Sequence, residues 1–175
     1  LQSLGAKTTL VSGPTSLAEP NVEQVIKVDS ADQMLEACES SLPADIAVCA
    51  AAVADYKIAN KEIAKIKKDG SRQNIILEEN PDILERLSKR NHLRPKLVVG
   101  FAAETSNLVR NSDEKLNKKG CDWVLGNNVS ENSIFNQDTN KIYFTSKLYS
   151  ENWELMTKKE VAKKLCQKIT LHLNN

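Results

Sequence analysis

Apolar positions along this chain alternate between the spacing of strands and the spacing of helices. Short apolar runs predict strands, and a late pair of runs predicts a β-hairpin: 7–12, 22–28, 46–54, 74–77, 97–101 and 122–125, then 141–145 with 147–150. Between these runs, apolar residues recur at helical spacing in segments that begin near 30, 80, 106 and 157. The alternation favours an α/β fold with a Rossmann-like, mostly parallel sheet and helices on both faces.

Local signals mark where these helices begin and end. Ser30 and Thr157 each precede a Gln or Glu by three residues, which is the capping-box pattern. The Asn-Pro-Asp segment at 80–82 predicts a helix capped by the asparagine, with the proline at the first helical position and the acid in the first turn. Gly120 is expected to end the third helix.

The segment 46–54 predicts a long strand buried on both faces, because it is continuously apolar rather than alternating. It ends at Asp55, and ligands of open α/β sheets bind at the carboxyl ends of strands. Lys65, Lys67 and Lys68 follow and supply charge suited to phosphates. Together these features predict a site for a nucleotide or a phosphorylated metabolite.

Composition narrows the class of protein. The 175 residues suit one domain, and 24 basic against 23 acidic residues leave a net charge of +1, which argues against a general nucleic-acid surface. No apolar run approaches the ~20 residues that cross a bilayer. The cysteines, at 38, 49, 121 and 166, form no CxxC pair, so we expect free thiols of a reducing cytosol rather than a zinc site. Residues 1–5 are typical of a helix end closed by glycine, and we expect further residues upstream.

The common catalytic and cofactor motifs are absent from the sequence. It contains no GxGxxG, no GxxxxGK[ST] and no nucleophile elbow, and His92 and His172 are expected on the surface. The remaining candidates each have an ordinary structural alternative: a turn or cap for Asp55 and 80–82, core packing for Phe101, and solvated charge for the lysines, including the i, i+4 pair Lys115 and Lys119.

Taken in order, these segments closely resemble one enzyme family. The motifs are Ala-Ala-Val-Ala-Asp-Tyr (51–56), Lys-Ile-Lys-Lys (65–68), Asn-Pro-Asp-Ile (80–83), Gly-Phe-Ala-Ala-Glu-Thr (100–105) and Lys-Leu-Asn-Lys-Lys (115–119). They are similar to those of phosphopantothenate–cysteine ligase, in the bacterial form that is usually the C-terminal half of a bifunctional coenzyme A biosynthesis flavoprotein. The resemblance covers nearly the whole chain.

The resemblance implies a two-step ligation that uses CTP as co-substrate with Mg²⁺. 4′-Phosphopantothenate would form an acyl-cytidylate and release pyrophosphate, and L-cysteine would then displace CMP. Lys65 would act at the phosphates or the acyl-cytidylate from a flap. The nucleotide-binding positions would be Ala50, Ala51, Asp55, Lys65, Asn80, Pro81, Asp82, Ile83, Phe101, Lys115 and Lys119.

The resemblance also implies a homodimer, and a flavin-dependent decarboxylase as fused or associated partner. The family begins with a strand and a glycine-rich segment that do not precede Leu1 in this sequence. Two other functions stay open: a non-catalytic dimerisation remnant of the same fold, and an NAD(P)-dependent oxidoreductase on a Rossmann-like sheet.

Overall fold

The computed structural model describes residues 1–60, 74–129 and 139–174. The strands of these ranges are β1 (Thr9–Ser12), β2 (Gln24–Lys27), β3 (Ile46–Cys49), β4 (Tyr56–Ile58), β5 (Leu77–Glu79), β6 (Leu97–Glu104), β7 (Trp123–Asn128), β8 (Thr139–Asn140), β9 (Ile142–Ser146), β10 (Ser150–Asn152) and β11 (Met156–Thr157). The α-helices are α1 (Ala31–Ser40), α2 (Ile83–Ser88), α3 (Leu108–Lys119) and α4 (Lys158–Leu173).

A five-stranded sheet with the order β10-β9-β7-β6-β3 forms the centre of the fold. Its strands β3, β6 and β7 are parallel, and the hairpin of β9 and β10 extends it in antiparallel fashion. β1 and β2 form a separate parallel pair. The predicted α/β fold and the late hairpin are confirmed, although the hairpin's second strand lies at 150–152 rather than 147–150.

Helices cover both faces of this sheet. On one face α4 packs over β6, β7 and β9, in an apolar core where Phe144 stacks on the fully buried Trp153. On the other face Leu84 of α2 and Leu116 of α3 pack on Val98 and Val124 of the central strands. α1 and α2 share a further core with the β1–β2 pair. None of the described helices is long and apolar enough to cross a membrane.

Three of the predicted helix ends are confirmed. The Ser30 side chain accepts a hydrogen bond from the Gln33 N–H, and Thr157 and Glu160 form both hydrogen bonds of a capping box. Gly120 ends α3 with a φ of 71°, in the left-handed region that glycine enters without steric cost.

The predicted long buried strand at 46–54 is wrong in length and in burial. β3 ends at Cys49, its residues are half-buried or exposed, and its only partner in the described sheet is β6. An edge strand is covered less completely than a central one, and the alanines after Cys49 have low strand propensity and little side chain to pack. Among the described strands, β6 has the most buried residues, and it continues to Glu104.

The predicted cap of α2 is also wrong. Asp82, not Asn80, caps the helix: its Oδ1 accepts the Glu85 N–H at 2.8 Å, and the helix begins at Ile83. Pro81 therefore precedes the cap. Asparagine and aspartate both cap helices well, and here the Asn80 side chain is bound to the Ala54 carbonyl instead.

One ion pair joins several elements of the fold at the amino-terminal edge of β6 and β7. Arg94 Nη2 donates to both carboxylate oxygens of Asp122, at 2.8 and 2.9 Å, while its Nε donates to the Ser88 carbonyl at the end of α2. Asp122 Oδ2 also accepts the Val98 N–H at 2.7 Å. Both side chains are about three-quarters buried. The pair thus fixes the end of α2 against the start of two central strands.

We expect Arg94→Met to lower the free energy of unfolding by about 2–3 kcal/mol, because it removes several charge-assisted hydrogen bonds at once and leaves the Asp122 carboxylate uncompensated. Arg94→Lys should recover only a small part, since lysine lacks the planar fork. Urea unfolding measures both.

Lys96→Met is the matched control. Its ion pair with Asp45 is largely exposed, so its loss should change stability little. Equal losses in the Arg94 and Lys96 variants would contradict a special role for the Arg94 fork.

Candidate functional site

The candidate site lies where the chain leaves the carboxyl end of β3. Ala50 and Ala51 follow this strand and are exposed, and so is Asp55. Because β3 and β6 are parallel, Phe101 and the residues after it lie towards the same edge of the sheet. This is the edge at which open α/β sheets bind ligands.

Asn80 ties the segment before α2 to this edge. Its Nδ2 donates to the Ala54 carbonyl at 2.9 Å, and its backbone N–H donates to the Asp55 carbonyl at 2.8 Å. Ile83 lies in the core under α2. Two of the predicted nucleotide-binding segments, 50–55 and 80–83, are therefore adjacent and hydrogen-bonded.

β4 and β5 pair in antiparallel fashion, and this pair, which we call the arm, lies between these two segments along the chain. Lys57 of the arm pairs with Asp32 of α1 at 2.6 Å. The side chains of Tyr56, Ile58 and Ile76 are about half to two-thirds exposed. Lys65, Lys67 and Lys68 lie outside the described residues, so the role predicted for Lys65 stays a prediction.

One face of α3 presents Asn111, Lys115 and Lys119 at successive i, i+4 positions, and we call these three residues the α3 stripe. Lys115 Nζ donates to the carbonyl of Phe101 at 2.6 Å. Lys119 Nζ pairs with Asp82 Oδ2 and lies 3.6 Å from Glu85 Oε2. The stripe therefore faces β6 and α2 rather than solvent.

The Lys119–Asp82 pair shifts the pKa of both partners. The hydrogen bond from Lys119 to Asp82 raises the pKa of Lys119. Burial alone would raise the pKa of Asp82, but its hydrogen bonds from Lys119 and the Glu85 N–H, with the charges of Lys119 and Lys115, hold that pKa below its ordinary value.

The sign of each shift fixes the pH range of the pair. A lowered carboxyl pKa stabilises the fold above the ordinary value of about 4, and this stability is lost as the pH falls further. A raised lysine pKa stabilises the fold below about 10.4, and this stability is lost as the pH rises through the folded value. The pair is therefore fully charged at neutral pH.

Phe101 is half-buried and packs against the core on the α4 face, so its ring has the core-packing role that was the alternative to contact with a nucleotide. Its backbone nevertheless contributes to the site through the carbonyl that accepts Lys115. The role predicted for Phe101 from the sequence concerned only its aromatic ring.

Two polar residues of the site were missed from the sequence. Asn111 Nδ2 donates to Glu104 Oε2 at 2.7 Å, which places a carboxylate at the carboxyl end of β6 beside the stripe. Asn111 precedes Lys115 by four residues and Glu104 follows an apolar run, so the spacing carried a signal. Their contact depends on how α3 lies on the sheet, which the spacing alone does not give.

The thiol nearest to the site is that of Cys49, the last residue of β3. Burial, together with the neighbouring Cys38, Cys121 and Asp82, raises the pKa of Cys49 to about 12. Burial also raises the pKa of Cys121 to about 11. Both thiols are therefore protonated at neutral pH and are poor nucleophiles. All four cysteines are free, as predicted.

A groove of about 740 Å³ runs along the outer side of α2, beginning at Pro81 and Asp82. Its lining continues through the basic residues that follow: Arg86, Lys89, Arg90 and His92. Of the 80–83 segment, Pro81 and Asp82 therefore border open space.

The fold and this edge define a Rossmann-like α/β domain whose candidate site combines parallel strand ends with a lysine-bearing helix. The chain matches the family model of the DNA/pantothenate metabolism flavoprotein C-terminal domain over residues 1–172. It is 37% identical over 166 residues to the coenzyme A biosynthesis bifunctional protein CoaBC of Haemophilus influenzae, covering 94% of this chain and 41% of that protein.

Two solved structures share the fold. The C-terminal domain of a CoaBC protein superposes with a TM-score of 0.78 and 31% identity, covering 99% of this chain and 78% of that one. The H337A mutant of Cab2, in complex with phosphopantothenate-cysteine, has a TM-score of 0.61 at 17% identity, covering 87% of this chain and 55% of that one.

The chain belongs to the family of DNA/pantothenate metabolism flavoprotein C-terminal domains, and the predicted resemblance is confirmed. It spans about two-fifths of the length of the CoaBC relative.

Close packing at Gly126 of β7 seats the helix that carries the stripe. A Cβ at Gly126 would lie 2.2 Å from Ser112 Oγ and 2.8 Å from Leu108 Cδ1, both on α3. Ser112 is fully buried, and its hydroxyl has no hydrogen-bond partner among the described residues. The absence of a side chain at Gly126 thus lets α3 approach the sheet.

We expect Gly126→Ala to lower the free energy of unfolding by about 1–3 kcal/mol, because overpacking forces α3 away from β7. Adding Ser112→Ala, which removes the closest atom, should restore part of this loss. Denaturant unfolding of the single and double variants measures the difference.

Gly13→Ala is the control, since its added Cβ would meet only Met34 Cε at an ordinary 3.7 Å. A Gly126→Ala protein as stable as the Gly13→Ala protein would contradict the close seating of α3.

Proposed function

We propose that this domain is a CTP-dependent phosphopantothenate–cysteine ligase of coenzyme A biosynthesis. The observation that carries the proposal is the convergence of a family match over nearly the whole chain with an inward-facing pair of lysines beside segments 50–55 and 80–83. The Cab2 relative in complex with phosphopantothenate-cysteine supports the product class.

The proposed reaction has two displacements. A carboxylate oxygen of 4′-phosphopantothenate attacks the α-phosphorus of CTP, and the bond to pyrophosphate breaks. The nitrogen of L-cysteine then attacks the acyl carbon, CMP leaves, and the nitrogen loses a proton as the amide forms. Such chemistry needs charge neutralisation and positioning rather than a covalent protein nucleophile.

The described residues would share this work by position. Lys115 and Lys119 would hold the triphosphate, Asp55 would contact the sugar, and the backbone of Ala50 and Ala51 would line the nucleotide pocket. The segment 80–83, of which Pro81 and Asp82 line the α2 groove, would form part of the base and nucleotide pocket. Lys65 would act at the phosphates or the acyl-cytidylate, a role that rests on the resemblance alone.

Mg²⁺ would accompany the triphosphate and neutralise part of its charge. Within the described ranges no three acidic, histidine or cysteine side chains converge on a metal position. This fits an ion held mainly by phosphate oxygens, as Mg²⁺ usually is in nucleotide sites, with one or two carboxylates at most.

The proposed function also implies a fused enzyme domain, a cell compartment and an oligomeric state. The part of CoaBC proteins that this chain does not span would carry the flavin-dependent decarboxylase. The domain would act in the cytoplasm, where free thiols persist. It would form a homodimer through the arm of β4 and β5, whose apolar side chains are exposed.

Thermal melting with nucleotides and Mg²⁺ tests the ligase proposal. CTP at 100 times its Kd should stabilise the domain by ~2.7 kcal/mol, and ATP, GTP and UTP should stabilise it less. Lys115→Met should lose most of the CTP shift, because methionine has no charged group to bind the phosphates. Lys118→Met, which removes an exposed lysine of the same helix, should keep the shift.

Adding NADH, CMP and phosphopantothenate to the same melting series distinguishes the two alternative functions. An NADH-selective shift would indicate an oxidoreductase. A cooperative melt with no response to CTP, CMP or phosphopantothenate would indicate a non-catalytic remnant. Either result would overturn the ligase proposal.

Sedimentation analysis tests the homodimer. The wild-type domain should be a dimer at micromolar concentration, and Ile76→Lys should shift it towards monomer by placing a charge in an apolar interface. Leu148→Lys changes an equally apolar, 91% exposed side chain away from the arm and should leave the dimer intact. A monomeric wild type, or equal effects of the two variants, would contradict an arm-mediated dimer.

A further inference from the structure

The two lysines of the α3 stripe have different internal partners. Lys115 donates to a neutral carbonyl, that of Phe101. Lys119 faces two carboxylates, Asp82 in direct contact and Glu85 at 3.6 Å, and only 18% of its side chain is exposed. The charge of Lys119 is therefore compensated by a directly paired carboxylate, whereas Lys115 has a neutral acceptor and only a longer-range attraction to Asp82.

This difference matters for an incoming phosphate. A phosphate oxygen competes with the Phe101 carbonyl for Lys115, because it adds the attraction between two opposite charges to the hydrogen bond. At Lys119 the same oxygen would lie beside the Asp82 carboxylate, which carries the same charge and repels it. The terminal phosphates must displace Asp82 or share Lys119 with it.

Asp82 is held in place by a second role. Its Oδ1 caps α2 through the Glu85 N–H while its Oδ2 pairs with Lys119. Because the helix start fixes this carboxylate, it does not swing away freely when an anion approaches.

We infer that Asp82 is a specificity-determining residue that weakens the binding of polyphosphate at Lys119. It competes for Lys119 with the tail of the triphosphate and with released pyrophosphate. The inference rests on the proposed function, in which the stripe holds the triphosphate. Its consequence is faster loss of pyrophosphate than two unopposed lysines would allow.

Asp82→Asn separates the charge from the cap, because asparagine caps helices as well as aspartate does. Asp82→Ser is a second capping variant without the charge. Glu114→Gln is the matched control: it removes one negative charge from the exposed face of the same helix, where Glu114 pairs with Arg110. Lys119→Met, alone and with Asp82→Asn, tests whether the effect passes through Lys119.

Calorimetric titration of each variant with CTP and inorganic tripolyphosphate gives the dissociation constants. Asp82→Asn and Asp82→Ser should bind both about fivefold more tightly, as expected for loss of one competing ion pair. Tripolyphosphate carries no base, so its gain reports the phosphates alone. Glu114→Gln should match wild type. Lys119→Met should bind both polyphosphates more weakly and should abolish the gain from Asp82→Asn.

Weaker or unchanged tripolyphosphate binding in both capping variants would overturn the inference, and so would a gain that persists without Lys119. Failure of wild type and variants alike to bind tripolyphosphate would overturn it as well. Tripolyphosphate binding with the expected Asp82 effect but without any preference for CTP would instead contradict only the proposed function.

Discussion

The ion pair between Arg94 and Asp122 is the contact on which the geometry of this domain depends. Arg94 donates hydrogen bonds to the Ser88 carbonyl at the end of α2 and to the Gly120 carbonyl at the end of α3. Asp122 accepts the Val98 N–H and so binds the start of β6. α2 and α3 are thus fixed at the same edge of the sheet. Since α2 has six residues, its start lies only about 9 Å from this anchor. Because α2 is this short and both helices are anchored at Arg94, Asp82 at the start of α2 can pair with Lys119 near the end of α3.

The same arrangement explains how a lysine pair can be half-buried without a high cost. Each ammonium group has an internal acceptor, and Lys119 also lies in the last turn of α3, where the helix dipole favours a cation. Both ammonium groups are held in place before any ligand arrives, so little of their side-chain entropy remains to be lost on binding, while Asp82 still competes for Lys119.

Much of the fold followed from local signals in the sequence. The caps at Ser30 and Thr157 were predictable because both partners of each cap lie within one helical turn. The cap of α2 was not, because Asn80 is occupied by the Ala54 carbonyl, a contact across 26 residues. The strand at 46–54 was overextended for a similar reason, since its burial depends on neighbours that the local pattern does not reveal.

The candidate site divides in the same way. The i, i+4 spacing of Lys115 and Lys119 placed them on one face of α3, but the direction of that face is set by packing at Gly126 and by the anchors at Phe101 and Asp82. The carboxylate of Glu104 joined the site only through Asn111. The role of Lys65 stays a prediction.

The protonated state of the Cys49 and Cys121 thiols fits the proposed reaction, in which no protein group forms a covalent bond with a substrate. An acyl-cytidylate is a reactive acyl donor, and a protein thiolate close to it would capture the acyl group. Cys49 lies at the end of β3, beside the segment proposed to bind the nucleotide, yet with a pKa raised to about 12 it stays protonated at neutral pH. The thiol side chains that pack this part of the core thus add apolar volume without adding a competing nucleophile. The amine of the incoming amino acid would then be the group left free to react.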